Sequence, residues 1–103
     1  MSNKIEPYTP THPGAVIKDE IEYRGVSQKA LASQLGISYS QLNEVLNGKR
    51  ALNTQMAMLI AAALDIDAEP LLTMQMRYDM IKASRDSAFV RRLSSISRVA
   101  AVL

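Results

Sequence analysis

The run from Ser27 to Gly48 constrains the fold more than any other part of this chain: Ser-Gln-Lys-Ala-Leu-Ala-Ser-Gln-Leu-Gly-Ile-Ser-Tyr-Ser-Gln-Leu-Asn-Glu-Val-Leu-Asn-Gly. Ser27 is a good N-cap, and the pattern behind it predicts a helix to Leu35, with Ala30, Leu31 and Leu35 on one stripe before Gly36 ends it. Only Gly36-Ile37-Ser38 separates this helix from the next. Ser38 and Gln41 form a capping-box pattern, and Leu42, Val45 and Leu46 supply an apolar face that Asn47-Gly48 closes. Two short helices joined so tightly must cross steeply. Ala32 is small where they meet, Gly36 sits where the turn needs positive φ, and Ile37, Leu42 and Val45 fill the space beneath. These are the mechanical requirements of a helix-turn-helix, although a plain pair of amphipathic helices in an all-helical domain satisfies the same periodicity.

The flanking sequence continues the helical pattern. A first helix is predicted from near His12, with Pro13 in its first turn and Val16, Ile17 and Ile21 on one face until Gly25. Asn53 or Thr54 caps a fourth helix, Met56 to Leu64, whose apolar residues lie almost all round it and predict burial. Asp67 is the expected cap of a fifth, which tolerates Pro70 and directs Leu71, Leu72, Met76 and Met80 to the core. The methionines read as core fillers rather than as a binding surface. After Lys82 the composition shifts to Ser, Arg and small residues, yet Phe89, Leu93, Ile96, Ala100 and Leu103 still recur at helical spacing, so a sixth helix from Asp86 is expected. No window alternates as a strand does. The expected fold is all-α, five helices with an additional C-terminal helix. Residues 1–11 form an extended arm, 12–82 the domain and 83–103 a helical extension.

Composition removes other classes of protein. With 103 residues, 48% hydrophobic and 21% charged, the chain suits one small core and not a disordered segment. It has no Cys and one His, so thiolate metal sites, His-based zinc sites and a Ser-His-Asp triad are excluded. Neither paired carboxylates nor a glycine-rich phosphate loop can be assembled, so no catalytic residue, metal or cofactor is expected. The longest apolar run, Met56 to Leu64, is about half the ~20 residues that span a bilayer, and Met1 to Pro10 lacks a signal-peptide core. No membrane association and a cytoplasmic location are therefore expected. The net charge of +2 hides a pattern. Residues 27–53 carry Lys29, Lys49 and Arg50 against Glu44 alone, and 83–103 carry four arginines against Asp86, whereas 1–26 and 54–82 are net acidic. The two basic segments are candidates for phosphate contact, though solvated faces explain such small excesses equally well.

Gln28, Ala32 and Gly36, followed by Asn47-Gly48-Lys49-Arg50, resemble the xenobiotic-response-element or Cro/repressor-like helix-turn-helix class. The likeness extends to Thr11-His12-Pro13-Gly14 and to Met74-Gln75-Met76-Arg77-Tyr78-Asp79, which together are similar to the HigA family of plasmid-maintenance antidote proteins. It covers residues 11 to about 80; the helix-turn-helix is widely shared, while the His-Pro-Gly opening with the Gln-x-Arg-Tyr-Asp element is more specific. One departure is the pair Leu71 and Leu72, where that family usually carries a large aromatic.

The resemblance implies that the third helix enters the major groove of operator DNA while the second crosses the backbone. Ser38, Tyr39, Ser40, Asn43 and Glu44 then face the bases: Asn43 can pair with adenine, Glu44 can accept from cytosine N4, Tyr39 can meet a thymine methyl or a phosphate, and the serines suit several partners. A surface pairing of Glu44 with Lys49 is the alternative for that residue. Gln28, Asn47, Lys49 and Arg50 are candidates for phosphate contact. One small module with two cations grips weakly, so a homodimer reading two half-sites is expected. By resemblance, such a protein represses its own operon and neutralises a HigB-type ribonuclease toxin. A stand-alone helix-turn-helix repressor and a helical protein-interaction module are the alternatives.

Overall fold

A computed structural model describes residues 10–99, and every regular element among them is a helix: α1 (Pro13–Arg24), α2 (Gln28–Leu35), α3 (Tyr39–Leu46), α4 (Thr54–Leu64), α5 (Glu69–Ser84) and α6 (Ser87–Ser94). Most of the expected extended arm, residues 1–9, lies outside the described residues; Pro10 and Thr11 are non-helical.

Side-chain caps start most of these helices. Ser27 Oγ accepts from Ala30 N, Asn53 Oδ1 from Met56 N, and Ser38 and Gln41 form both bonds of the capping box. Gly36 ends α2 at φ 73°, which only a residue without Cβ adopts freely, and the turn to Ser38 follows directly. Asp65 ends α4 at φ 57°. The expected cap of α5 is corrected: Asp67 stays outside, and Ala68 takes the cap position without a side-chain bond.

The core is a single cluster. Ile17 and Ile21 from α1, Leu31 and Ala32 from α2, and Leu42, Val45 and Leu46 from α3 meet Leu52, Met56, Ala57, Ile60, Leu64 and Leu71. α3 packs between α1 and α2, α4 lies against α2 and α5, and α5 closes over α1. Fully burying one such aliphatic side chain stabilises by about 1.5–3 kcal/mol, so these thirteen residues carry most of the hydrophobic stabilisation.

Several apolar residues do not go where periodicity alone sends them. Val16 and Ala30 are exposed. α1 instead turns Pro13, Gly14, Ile17 and Ile21 inward, because its contact with α3 is made by backbone at Gly14. α4 buries one face only, and Met58 and Leu59 are exposed on the other. Met76 and Met80 also face outward, and the buried residue of that stretch is Gln75. Of the five methionines on α4 and α5, Met56 is buried, Met74 is half-buried and Met58, Met76 and Met80 are exposed, so the core-filler reading fails for those three. α6 is capped by Asp86, the expected start, but it ends at Ser94, and none of its residues is buried. Ile96 lies beyond it, and Ala100 and Leu103 fall outside the described residues.

The start of α1 explains the Thr-His-Pro-Gly sequence. His12 is the N-cap, its Nδ1 accepting from Gly14 N at 2.9 Å, and Pro13 opens the first turn, where no amide donor is needed. A Cβ built on Gly14 would lie 2.0 Å from the Val45 carbonyl oxygen and 2.9 Å from Leu46 Cα, so only glycine lets α1 rest on the end of α3. The His12 ring is buried and meets Tyr78 of α5 edge-on, centroids 4.9 Å apart at 83°; its Nε2 makes no well-formed hydrogen bond. Lys82 Nζ stands 5.4 Å from the centroid of the same tyrosine ring. Gln75 bridges the last gap: its Oε1 accepts from Leu52 N at 2.8 Å, and its Nε2 donates to Asp79 Oδ1 at 2.8 Å. The Gln-x-Arg-Tyr-Asp element therefore holds the loop after α3 against α5.

Gly14→Ala is expected to destabilise the fold by about 3 kcal/mol, since the clash is with backbone; for a domain of this size thermal denaturation should show a fall in Tm of more than about 10 °C. Gln75→Leu strands the Leu52 N–H and should cost about 1–3 kcal/mol in urea denaturation. Burial pushes the His12 imidazole below its usual value, opposed by the Arg50 main chain and the Asp79 charge, while the Lys82 charge adds to the fall. The fold thus prefers the neutral ring, and the unfolded chain takes up the proton first. That contribution to stability is complete above about pH 6.5 and is lost as pH falls through the lowered value in the folded state. Between pH 7 and 5 the protein should lose more Tm than its His12→Asn variant, which keeps a capping acceptor and has no ring to titrate; equal losses would contradict this assignment.

Candidate nucleic-acid interface

α2 and α3, set by the Gly36 turn, present one continuous polar surface. Leu42, Val45 and Leu46 point α3 into the core, so Tyr39, Ser40, Asn43, Glu44 and Asn47 share its outer side. Tyr39 and Ser40 are exposed, and their hydroxyls bond no other described residue. Ser38 differs from them, because its hydroxyl accepts from Gln41 N at 3.0 Å and serves the cap.

The remaining candidates are tied together in pairs. Asn43 Nδ2 donates to Gln28 Oε1 at 2.9 Å, joining the first residue of α2 to the middle of α3. One amide hydrogen and Oδ1 of Asn43 stay available to a base edge, and the Gln28 amide stays available to a phosphate. Asn47 Nδ2 donates to the Asn43 carbonyl at 2.9 Å, while its Oδ1 accepts from Lys18 Nζ at 3.1 Å. Glu44 pairs with Arg50, not Lys49: Arg50 Nη2 lies 2.7 Å and Nε 2.9 Å from Glu44 Oε1. Lys49 is held through its backbone, donating to the Glu44 carbonyl at 2.8 Å, and its side chain is exposed without an ion pair among the described residues.

Two cations in this region were not singled out from sequence. Lys29 lines an open depression with Ser27, Gln28 and Tyr39 at the start of α2. Its place in the basic 27–53 segment was a usable signal, because residues in the first turn of α2 sit near the start of α3 once the turn is steep. Lys18 comes from the acidic segment, and only the packing of α1 on α3 brings it to Asn47. The surface thus holds Lys29, Lys49 and Arg50 around Glu44, and at its α1 edge Lys18 shares a depression with Asn47 and the carboxylates Asp19 and Glu22. It offers many donors, few uncompensated acceptors, and no group of His, Cys, Asp or Glu among the described residues able to hold a metal ion. No helix among the described residues is long and apolar enough to cross a membrane. Such a surface can bind a polyanion and present amide, hydroxyl and carboxylate groups to it, with no nucleophile activated beside a base.

Comparison with known proteins agrees with this geometry. Residues 17–71 match the helix-turn-helix family. Virulence-associated protein A' of Dichelobacter nodosus is 31% identical over 80 residues, covering 77% of this chain and 70% of that protein. Among solved structures, an addiction module antidote protein of the HigA family from Coxiella burnetii superposes with a TM-score of 0.76 at 25% identity, covering 88% of this chain and 99% of that one. Antitoxin HigA of Pseudomonas aeruginosa, solved with the higBA promoter, gives a TM-score of 0.76 at 24% identity, covering 89% and 100% of the two chains. The chain belongs to the helix-turn-helix family, whose members are DNA-binding proteins rather than enzymes, and it shares the Cro/repressor-like fold of the HigA antidote proteins.

Proposed function

We propose that this protein is a sequence-specific DNA-binding antidote that represses its own operon and neutralises a small HigB-type ribonuclease toxin. The observation that carries the DNA half is the outer face of α3, whose polar side chains are braced by Gln28, Arg50 and Lys18 and flanked by cations. In this reading α3 lies in the major groove. Tyr39, Ser40, Asn43 and Glu44 meet base edges, and Ser38 stands at the helix entrance with its hydroxyl already engaged. Gln28, Asn47, Lys49 and Arg50 contact phosphates on either side. Two such modules as a homodimer reach half-sites about 34–36 Å apart, one helical turn of DNA. The HigA of Pseudomonas aeruginosa, alike in fold, has been solved with promoter DNA, which supports the same use of this surface. The toxin half rests on likeness to antidote proteins.

The purified protein should shift the DNA upstream of its own gene in a salt-dependent manner. Lys49→Ala should weaken binding to all sequences alike and lower the salt slope by about one ion. No shift at low salt would defeat the DNA assignment. Co-purification with the product of the adjacent gene, or rescue from the growth arrest it causes, tests the toxin assignment; promoter binding without either would leave a stand-alone repressor.

A further inference from the structure

Resting on the reading of α3 as the groove-facing helix, we propose that Glu44, held in place by Arg50, selects cytosine in the operator. Glu44 is the sole carboxylate between Ser27 and Asn53, and it sits one turn after Ser40 and next to Asn43 on the outer face of α3. An anion there is repelled by phosphates unless a cation travels with it. Arg50 is that cation. Both of its contacting nitrogens, Nε at 2.9 Å and Nη2 at 2.7 Å, approach the same oxygen, Oε1. The main chain ties the pair again, since Lys49 N and Arg50 N donate to the Glu44 carbonyl at 2.8 and 3.2 Å. The guanidinium is therefore delivered by the loop and does not need DNA to find the carboxylate.

This arrangement leaves Glu44 Oε2 without a partner among the described residues, on a side chain that is 40% exposed. A carboxylate can only accept. In the major groove guanine offers two acceptors and thymine an acceptor and a methyl, so both repel or fail to bond it. In its base pair adenine N6–H is flanked by acceptors on both sides, its own N7 and thymine O4, whereas cytosine N4–H has the paired guanine O6 on one side and only C5–H on the other. Cytosine is thus the base that an oriented Oε2 favours. Arg50 is a positioning residue in this scheme, and its remaining N–H groups stay available to a phosphate.

Selection of random duplexes by the full chain, followed by titration of single-base variants of the selected site, tests this. The protein should select cytosine at one position of each half-site and bind roughly 5- to 150-fold more weakly when that base pair is changed. Glu44→Gln should move the preference at that same position toward adenine, which a Gln side chain reads through N6 and N7. Glu44→Ala should flatten it while leaving the other positions unchanged. Arg50→Ala should lower both the preference and the overall affinity. An unchanged motif in the Glu44 variants would overturn the proposal while leaving DNA binding intact. Failure of the unaltered protein to enrich any sequence would overturn the DNA assignment and this proposal with it.

Discussion

The rest of the structure depends on the close approach of α1 to the end of α3, and that approach exists because residue 14 has no side chain. With Gly14 against the Val45 carbonyl, the first turn of α1 becomes a wall for the loop that leaves α3. His12 caps the helix from one side and faces Gly48 on the other, where an added Cβ would come 3.6 Å from its side chain. Tyr78 closes over the ring, and Gln75 of the same helix takes the amide of Leu52. Three elements far apart in sequence therefore meet at the base of the loop carrying Lys49 and Arg50. Buried polar groups are costly without partners, so the Gln75 bonds give that loop one favourable position and not several.

The same economy governs the outer face of α3. Exposed polar side chains ordinarily sample several rotamers and lose that freedom on binding. Here Asn43 leans on Gln28, Glu44 on Arg50 and Asn47 on Lys18. Each bond is weak on a solvated surface. Together they orient acceptors and donors before any ligand arrives, which is what discrimination among base edges requires. Tyr39 and Ser40, with no such tether, are left as the adaptable members of the face.

Away from this face the molecule is less fully packed. Met58 and Leu59 on α4, Met76 and Met80 on α5, and Phe89, Val90 and Leu93 on α6 are all exposed. α6 has a strongly amphipathic sequence yet contributes nothing to the core, and its principal packing neighbour is α5. Around one compact cluster of buried residues, the described helices thus leave several apolar surfaces uncovered.

Much of this was legible from residues in order. The caps at Ser27, Ser38 and Asp86, the stop at Gly36 and the inward set Leu42, Val45 and Leu46 are local signals, because N–H groups at a helix start and a turn of positive φ are satisfied by neighbours a few positions away. The helix-turn-helix and its candidate surface, from Gln28 to Arg50, followed from that spacing together with the likeness of the motif. Periodicity misplaced Val16, Ala30, Met76 and Met80, since it gives the stripe of a helix but not its rotation about its own axis. Pairing was equally out of reach: Glu44 with Arg50 in place of Lys49, Lys18 with Asn47, and the roles of Gln75 and Tyr78. By itself the sequence determined most helix starts, though not the cap of α5 or the end of α6, and it singled out the short stretch proposed to meet a nucleic acid. Only the tertiary structure decided which side chains meet there, because those contacts depend on how closely backbones approach, and Gly14 sets that distance for α1 and α3.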